Sequence, residues 1–418
     1  MFQTVDRVNR SGCVEGGHVE FGIFIQGYVP GPNAHDSERE HEVLLHEADL
    51  VECADRHNWK YVWVTEHHAL TEYSHISASD VYLGYLARAT ERIHLGSGIF
   101  NLSPRVNHPV RNAERVTMLD HLTGGRFEFG TGRGAGSHEI GTFNIHDSDS
   151  TKAEWDEVVR ELPRMWAQED YTFQGEHFAV DNPHNVLPKP WGGGHPAMWV
   201  ACGSPSTFGK AGSLGLGALG FSFAPIYELR PQIEAYKEGI AGCADPVGEF
   251  VNDNVMVTNM VVCMEDREHA REIVTRSRRG YLTTLVCLYH NTIPKPEFAR
   301  TWPEPPRGLT DDMLDLAIEN GSLFCGNPEE VCEQLERVKD VGVDQLVFGV
   351  PGDSVSHEEA LENLEMFGKQ VIPEFDPDPV HSTTRSRESA TPKHPRYNDA
   401  PAHVATVYND EELARSRG

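Results

Sequence analysis

The stretch from Arg92 to Gly134 constrains the fold more than any other part of the chain. Ile93, Leu95, Ile99 and Phe100 form a short apolar run. After His108 and Pro109, the apolar positions Val110, Ala113, Val116, Met118, Leu119 and Leu122 roughly follow a 3.6-residue period, which predicts an amphipathic helix. Proline suits the first helical turn, where its missing N–H costs nothing. Gly124 and Gly125 predict the helix stop, because glycine reaches the left-handed conformation of a C-cap. Phe127 and Phe129 open a second strand. Strand, helix, strand is a βαβ unit, with parallel strands and a right-handed crossover. Glycines cluster where its strands end, at Gly96-Ser97-Gly98 and at Gly130-Thr131-Gly132-Arg133-Gly134. Parallel α/β folds place their chemistry at that end.

The rest of the chain repeats the unit. Further strands are predicted at Val19–Gly27, Tyr61–His68, Ala197–Gly203, Gly217–Phe223, Asn254–Cys263 and Asp344–Val350, each followed by a helical pattern. The first of these helices runs from about Ser37, a candidate N-cap with Glu40 at capping-box spacing. Tyr171 to Val180 alternates apolar and polar residues around Gly175 and reads as a small hairpin. Eight strands alternating with helices predict an α/β fold of the closed (β/α)8 TIM-barrel type with insertions, over residues 19–375. Residues 1–18 read as an irregular extension and 376–418 as a polar, disordered tail. The segment Cys287 to Gly308 has no periodicity and reads as a long loop. No GxGxxG follows the first strand, which counts against a dinucleotide-binding sheet.

Charge and composition remove other classes. A formal net charge of −28 argues against nucleic acid as a partner. No run of about 18 apolar residues predicts a membrane helix, and the N-terminus has no apolar signal core. The eight cysteines show no CxxC pair and no regular spacing. Reduced, buried thiols in a cytoplasmic protein are expected.

Three groups at predicted strand ends could carry chemistry. Glu66-His67-His68 ends the second strand, and alternation lets only one of the two histidines face the barrel mouth. No converging ligand set with metal spacing accompanies it. Arg133 follows the fourth strand, where a guanidinium can fork onto a phosphate or form a structural ion pair. Gly203-Ser204-Pro205-Ser206-Thr207 follows the fifth strand and opens a helix. Its hydroxyls and backbone N–H groups suit a phosphate, and equally suit ordinary N-capping. Strands four and five are neighbours in a barrel, so these residues predict an enzyme with a phosphorylated cofactor or substrate.

The segments FGIF, YVWVTEHH, RIHLGSGIF, HPVRNAERVTMLDHLTGGRFEFGTGRG and CGNPEEVCEQLERVKDVGVDQLVFGV together resemble the bacterial luciferase-like flavin monooxygenases, of the alkanal monooxygenase alpha-chain type. The resemblance runs from about Val19 to Phe375. It implies a barrel that binds reduced FMN at its C-terminal mouth, the flavin coming from a separate NAD(P)H:flavin reductase. Such a flavin reacts with O2 to give a hydroperoxide that oxygenates an aldehyde, a ketone or another small organic substrate. The resemblance makes His67 the active-site histidine, a general base or hydrogen-bond donor. It makes Arg133, Gly203, Ser204 and Thr207 phosphate-site residues, and Gly98-Ile99 a non-proline cis peptide beneath the flavin ring. The luciferases carry a reactive cysteine where this chain has Gly132, and a glutamate where it has Gly203. Gly132 is expected to enlarge the pocket and to change the substrate. The 287–308 loop corresponds to a mobile loop that closes over the flavin. A homodimer paired through the second and third helices is also implied. Two other readings share the resemblance: a deazaflavin-dependent oxidoreductase working by hydride transfer, and a flavin-binding protein without turnover.

Overall fold

A computed structural model describes residues 19–134, 136–220, 225–277, 280, 309–349, 355–391 and 415. Eight parallel strands close into a barrel: β1 (Glu20–Ile25), β2 (Tyr61–Val64), β3 (His94–Ser97), β5 (Phe127–Gly132), β8 (Ala197–Cys202), β9 (Gly217–Gly220), β10 (Val255–Cys263) and β12 (Gln345–Gly349). The last pairs with the first, Glu20 opposite Gln345, so the sheet has no free edge. The predicted α/β barrel is the observed one. A two-residue strand, β4 (Phe100–Asn101), continues β3 alongside β5, and a short strand β11 (Phe324–Gly326), not predicted from the sequence, pairs in parallel beside the C-terminal end of β10. The hairpin is β6 (Tyr171–Gln174) against β7 (Ala179–His184).

Strand alternation sorts the residues. Phe21, Ile23, Val62, Val64, Leu95, Phe127 and Phe129 pack outward against the helices. Phe24, Tyr61, Trp63, Trp199, Leu219, Met256 and Val347 fill the interior. Two indoles dominate there, edge to face with centroids 5.2 Å apart. Each needs a glycine on the next strand. A Cβ on Gly96 would lie 2.4 Å from Trp63 Cε3, and one on Gly217 would lie 2.3 Å from Trp199 Cε3.

The helices that matter for the site are α1 (Ser37–Arg56), α2 (Ser79–Ala89), α3 (Pro109–Thr123), α4 (Ser137–Gly141), α5 (Thr151–Ala167) and α6 (Pro205–Ser213). α3 starts and stops as its sequence predicts. His108 caps it by accepting from the Val110 N–H, and Gly124 leaves it at φ 64°. α1 differs by one residue: Asp36, not Ser37, is the N-cap, since its carboxylate accepts from the N–H groups of Glu38 and Arg39. No described helix is long and apolar enough to cross a membrane.

The expectation of a disordered tail from residue 376 is corrected as far as residue 391. A helix, Ser382–Glu388, closes the N-terminal floor of the barrel. Its composition is that of a disordered chain, but its polar groups meet buried partners. Ser382 donates from N–H and Oγ to Glu20 (2.9 and 2.6 Å). Thr383 donates to Glu128 (2.5 Å). Arg387 forks onto Asp120 at 2.7 and 2.8 Å. Charge-assisted bonds of this kind are about twice as strong as neutral ones. The predicted N-terminal extension 1–18 and the loop 287–308 lie outside the described residues.

Candidate active site

His67 ends the turn after β2, on the inward side. Its N–H donates to Ile76 O at 3.0 Å, and Thr65 and Ser74 pin the same loop through their hydroxyls, 3.0 Å apart. The ring is buried, 4.7 Å from that of Tyr73. Its Nδ1 lies 2.6 Å from Glu139 Oε2, and Glu139 is buried too. An imidazole that donates from Nδ1 carries the lone pair of its neutral form on Nε2. The pair is therefore a histidine held in one tautomer by a carboxylate. Glu139 was not singled out in the sequence; its only signal there is an acidic residue six positions after Arg133 in the GRG loop. Gly134 makes room for it. That residue has φ 92°, and a Cβ on it would lie 3.1 Å from Glu139 Oε1.

His68 faces the other way, as alternation requires. It approaches Glu66 (3.6 Å) and stacks edge-on against Phe143 (5.1 Å). The Glu66 carboxylate beside it raises its pKa against the opposing effect of burial. Glu66 also accepts from Ser79 at 2.6 Å, tying this side to α2. Among the described residues, no group of three His, Cys, Asp or Glu side chains could hold a metal.

Arg133 follows β5, half-buried. Its Nη1 donates to Ser148 O and to Thr151 Oγ1, both at 3.1 Å, so the start of α5 aims it. Its Nε and Nη2 donate to no described residue, and are available to an oxyanion. Burial lowers its pKa, with Asp149 and Asp156 acting against that. On the adjacent strand end, Ser204 and Thr207 come together in a capping box at the start of α6. Thr207 Oγ1 accepts from the N–H groups of Gly203 (3.2 Å) and Ser204 (3.0 Å), and Ser204 Oγ lies 3.0 Å from Ser206 Oγ. N-capping is thus present, and the exposed hydroxyl cluster stands beside it. No hydrogen bond joins Arg133 to this cluster among the described residues. The two are brought near by register, since β5 pairs with β8 up to Thr131 opposite Val200. A Cβ on Gly203 would meet nothing within 4 Å, so the cluster opens onto free space.

The Gly98-Ile99 peptide is cis. The expected effect of Gly132 is corrected, however. A Cβ there would lie 2.7 Å from Ile99 Cγ1 and 2.8 Å from Cδ1. Ile99 already fills the volume that the glycine vacates, so the pocket is reshaped and not enlarged.

Comparison with known proteins gives this geometry a setting. The luciferase-like monooxygenase family model matches residues 19–345. Limonene 1,2-monooxygenase from Rhodococcus erythropolis is 26% identical over 87% of this chain and 88% of its own. An F420-dependent glucose-6-phosphate dehydrogenase from Kineococcus radiotolerans is 23% identical over 78% of this chain and 91% of its own. Among solved structures, the oxygenating constituent of 3,6-diketocamphane monooxygenase from Pseudomonas putida, a type II Baeyer–Villiger monooxygenase in complex with FMN, superposes with a TM-score of 0.68. It is 18% identical, with 86% of this chain and 99% of that one covered.

Proposed function

Because the chain belongs to the luciferase-like monooxygenase family, we propose that it is a flavin-dependent monooxygenase using reduced FMN and O2 to oxygenate a small organic aldehyde, ketone or related compound. The observation that carries this reading is the buried His67–Glu139 pair (2.6 Å), which joins the turn after β2 to the segment after β5 that also carries Arg133, at the C-terminal end of the barrel. The residues present fit the cofactor. Arg133, with two unused donor groups, and the Ser204, Ser206 and Thr207 hydroxyls would hold the phosphate. The Gly98-Ile99 segment would lie against the ring system. When bound, the reduced flavin supplies two electrons, which a monooxygenase delivers to oxygen.

The chain's own contribution is then positional and protic. Arg133 and α6 orient the phosphate end. His67, oriented by Glu139, accepts or returns a proton beside the reacting atoms. The Tyr73 ring against His67 and the burial of both side chains keep that pair away from water. A separate NAD(P)H:flavin reductase supplies the reduced flavin, and two copies of the chain pair through α2 and α3.

An F420-dependent hydride-transfer enzyme is the second reading, favoured by the identity to the Kineococcus dehydrogenase. One experiment separates them. The protein is titrated anaerobically with reduced FMN and with reduced F420, then mixed with oxygenated buffer and a ketone or aldehyde. Tight FMN binding with oxygen-dependent product supports the proposal. Binding of F420 alone, with turnover under nitrogen, overturns it.

A further inference from the structure

The pairing between β3, β4 and β5 contains an extra residue. Gly96 sits opposite Glu128, and Phe100 opposite Thr131, so the chain takes four steps on one side against three on the other. An added residue of this kind is a β-bulge, and it inverts the side-chain alternation beyond it. The consequences are visible on both faces. Without it Phe100 would follow Gly96 into the barrel; instead it is fully buried in the helix-facing core. Ile99 turns inward and packs against the interior cluster of Phe24, Trp63 and Tyr73. Its neighbours on β3 and β4 are buried, yet Ile99 itself is only half-buried. Its exposed part opens onto the barrel mouth, and its Cγ1 and Cδ1 lie over Gly132.

We propose that Ile99 is a specificity-determining residue: the bulge aims its side chain across Gly132, and that one side chain sets the depth of the apolar floor on which substrate and cofactor ring rest. This deepens, and rests on, the monooxygenase reading. Ile99 and Gly132 compete for one volume. A larger residue at 132 must expel Ile99 into the mouth, and a smaller one at 99 opens a recess above Gly132.

The test is a cycle of full-length wild type, Ile99→Ala, Gly132→Ala and the double variant. Three quantities are measured: thermal midpoint without cofactor, FMN affinity by fluorescence, and kcat/KM over ketones of increasing bulk. Gly132→Ala should lower the midpoint by several degrees and weaken FMN binding, and adding Ile99→Ala should restore most of both. Ile99→Ala alone should raise kcat/KM for the bulkiest ketone relative to the smallest by on the order of tenfold, the scale set by a few methylenes in an apolar pocket. Additive midpoints, or an unchanged size ranking in an enzyme that binds FMN normally, overturn the inference. A wild type that binds neither FMN nor F420 overturns the functional reading, and the role of Ile99 in it, whatever the midpoints do.

Discussion

His94 on β3 and His381 in the C-terminal segment stack face to face, centroids 3.7 Å apart and planes 13° from parallel. His381 Nε2 donates to Lys60 O at 2.8 Å, and His94 Nδ1 lies 2.7 Å from Glu128. Two rings this close cannot both be charged. Burial pushes each pKa down to about 3; the Arg126, Arg387 and Lys60 charges add to this for His94, and Glu20 works against it for both.

The pH consequence has a definite sign. A histidine whose folded pKa lies below its unfolded value of 6.5 contributes stability that is full above 6.5 and is lost as pH falls toward 3. Glu128, pushed up to about 7 by burial, acts oppositely, losing its contribution as pH rises from 4.5 to 7. Below pH 6.5 two imidazoles oppose one carboxyl, so acid loosens the floor. Measured against the intrinsic exchange rate at each pH, amide protection in residues 381–388 should fall between pH 7 and 4.5 more than in β2 and β3. His381→Gln, which removes the stack, should exchange faster at pH 7 and show a flatter pH dependence. An unchanged slope would remove the stack as the cause.

The His67–Glu139 pair is the next point of leverage. His67→Ala should cut product formation by about 10²-fold or more, the usual contribution of a positioned base, while FMN affinity changes little. Oxygen consumption should persist and end in hydrogen peroxide. Glu139→Gln keeps the size and a hydrogen bond but removes the charge, so its loss should be smaller than that of His67→Ala. The ratio of product formed to oxygen consumed checks both variants. Equal, complete loss in the two with lowered thermal midpoints would point to collapse of the buried pair instead.

Why some of this was legible in the sequence and some was not follows from the physics of each part. The barrel could be read because each βαβ unit carries its own periodicity and caps, as in His108, Pro109 and Gly124 of α3. Arg133, Ser204 and His67 could be located because strand ends are marked by glycine and loop residues. Glu139 could not, since its partner lies 72 residues away and only the fold brings them together. The C-terminal helix failed for the same reason. Local composition says disorder, while its stability comes from Glu20, Glu128 and Asp120, far back in the chain. Gly132 misled because the absence of a side chain was read as empty space, when the bulge had already sent Ile99 there.

Arg133 gives a prediction with an internal control. Arg133→Ala removes a charged donor to phosphate, worth about 1.5–3 kcal/mol, so the Kd for FMN should rise roughly 10- to 150-fold. Riboflavin lacks the phosphate, and its affinity should stay within about twofold. Ser204→Ala should show the same selectivity with a smaller effect, because Thr207 continues to satisfy the Gly203 and Ser204 N–H groups. Parallel loss of FMN and riboflavin binding would show that Arg133 serves the loop through Ser148 and Thr151 and not the ligand.

The paired-copy proposal rests on two neighbouring helices. Val81 and Tyr85 of α2 are 71% and 53% exposed, and Met118 and Leu122 of α3 are 50% and 55% exposed. Each pair is four residues apart, so each forms one stripe on its helix. The stripes adjoin, since Leu122 Cδ1 lies 3.8 Å from where a Cβ on Gly84 would be. Four large apolar side chains gathered on one face of an otherwise acidic protein are costly to leave in water, at roughly 25 cal/mol per Å2. Sedimentation of the wild type should therefore give a dimer, and Val81→Glu with Leu122→Glu should give a folded monomer with an unchanged circular dichroism spectrum. A monomeric wild type at micromolar concentration would reject the pairing. A double variant that remains dimeric would place the contact on another face.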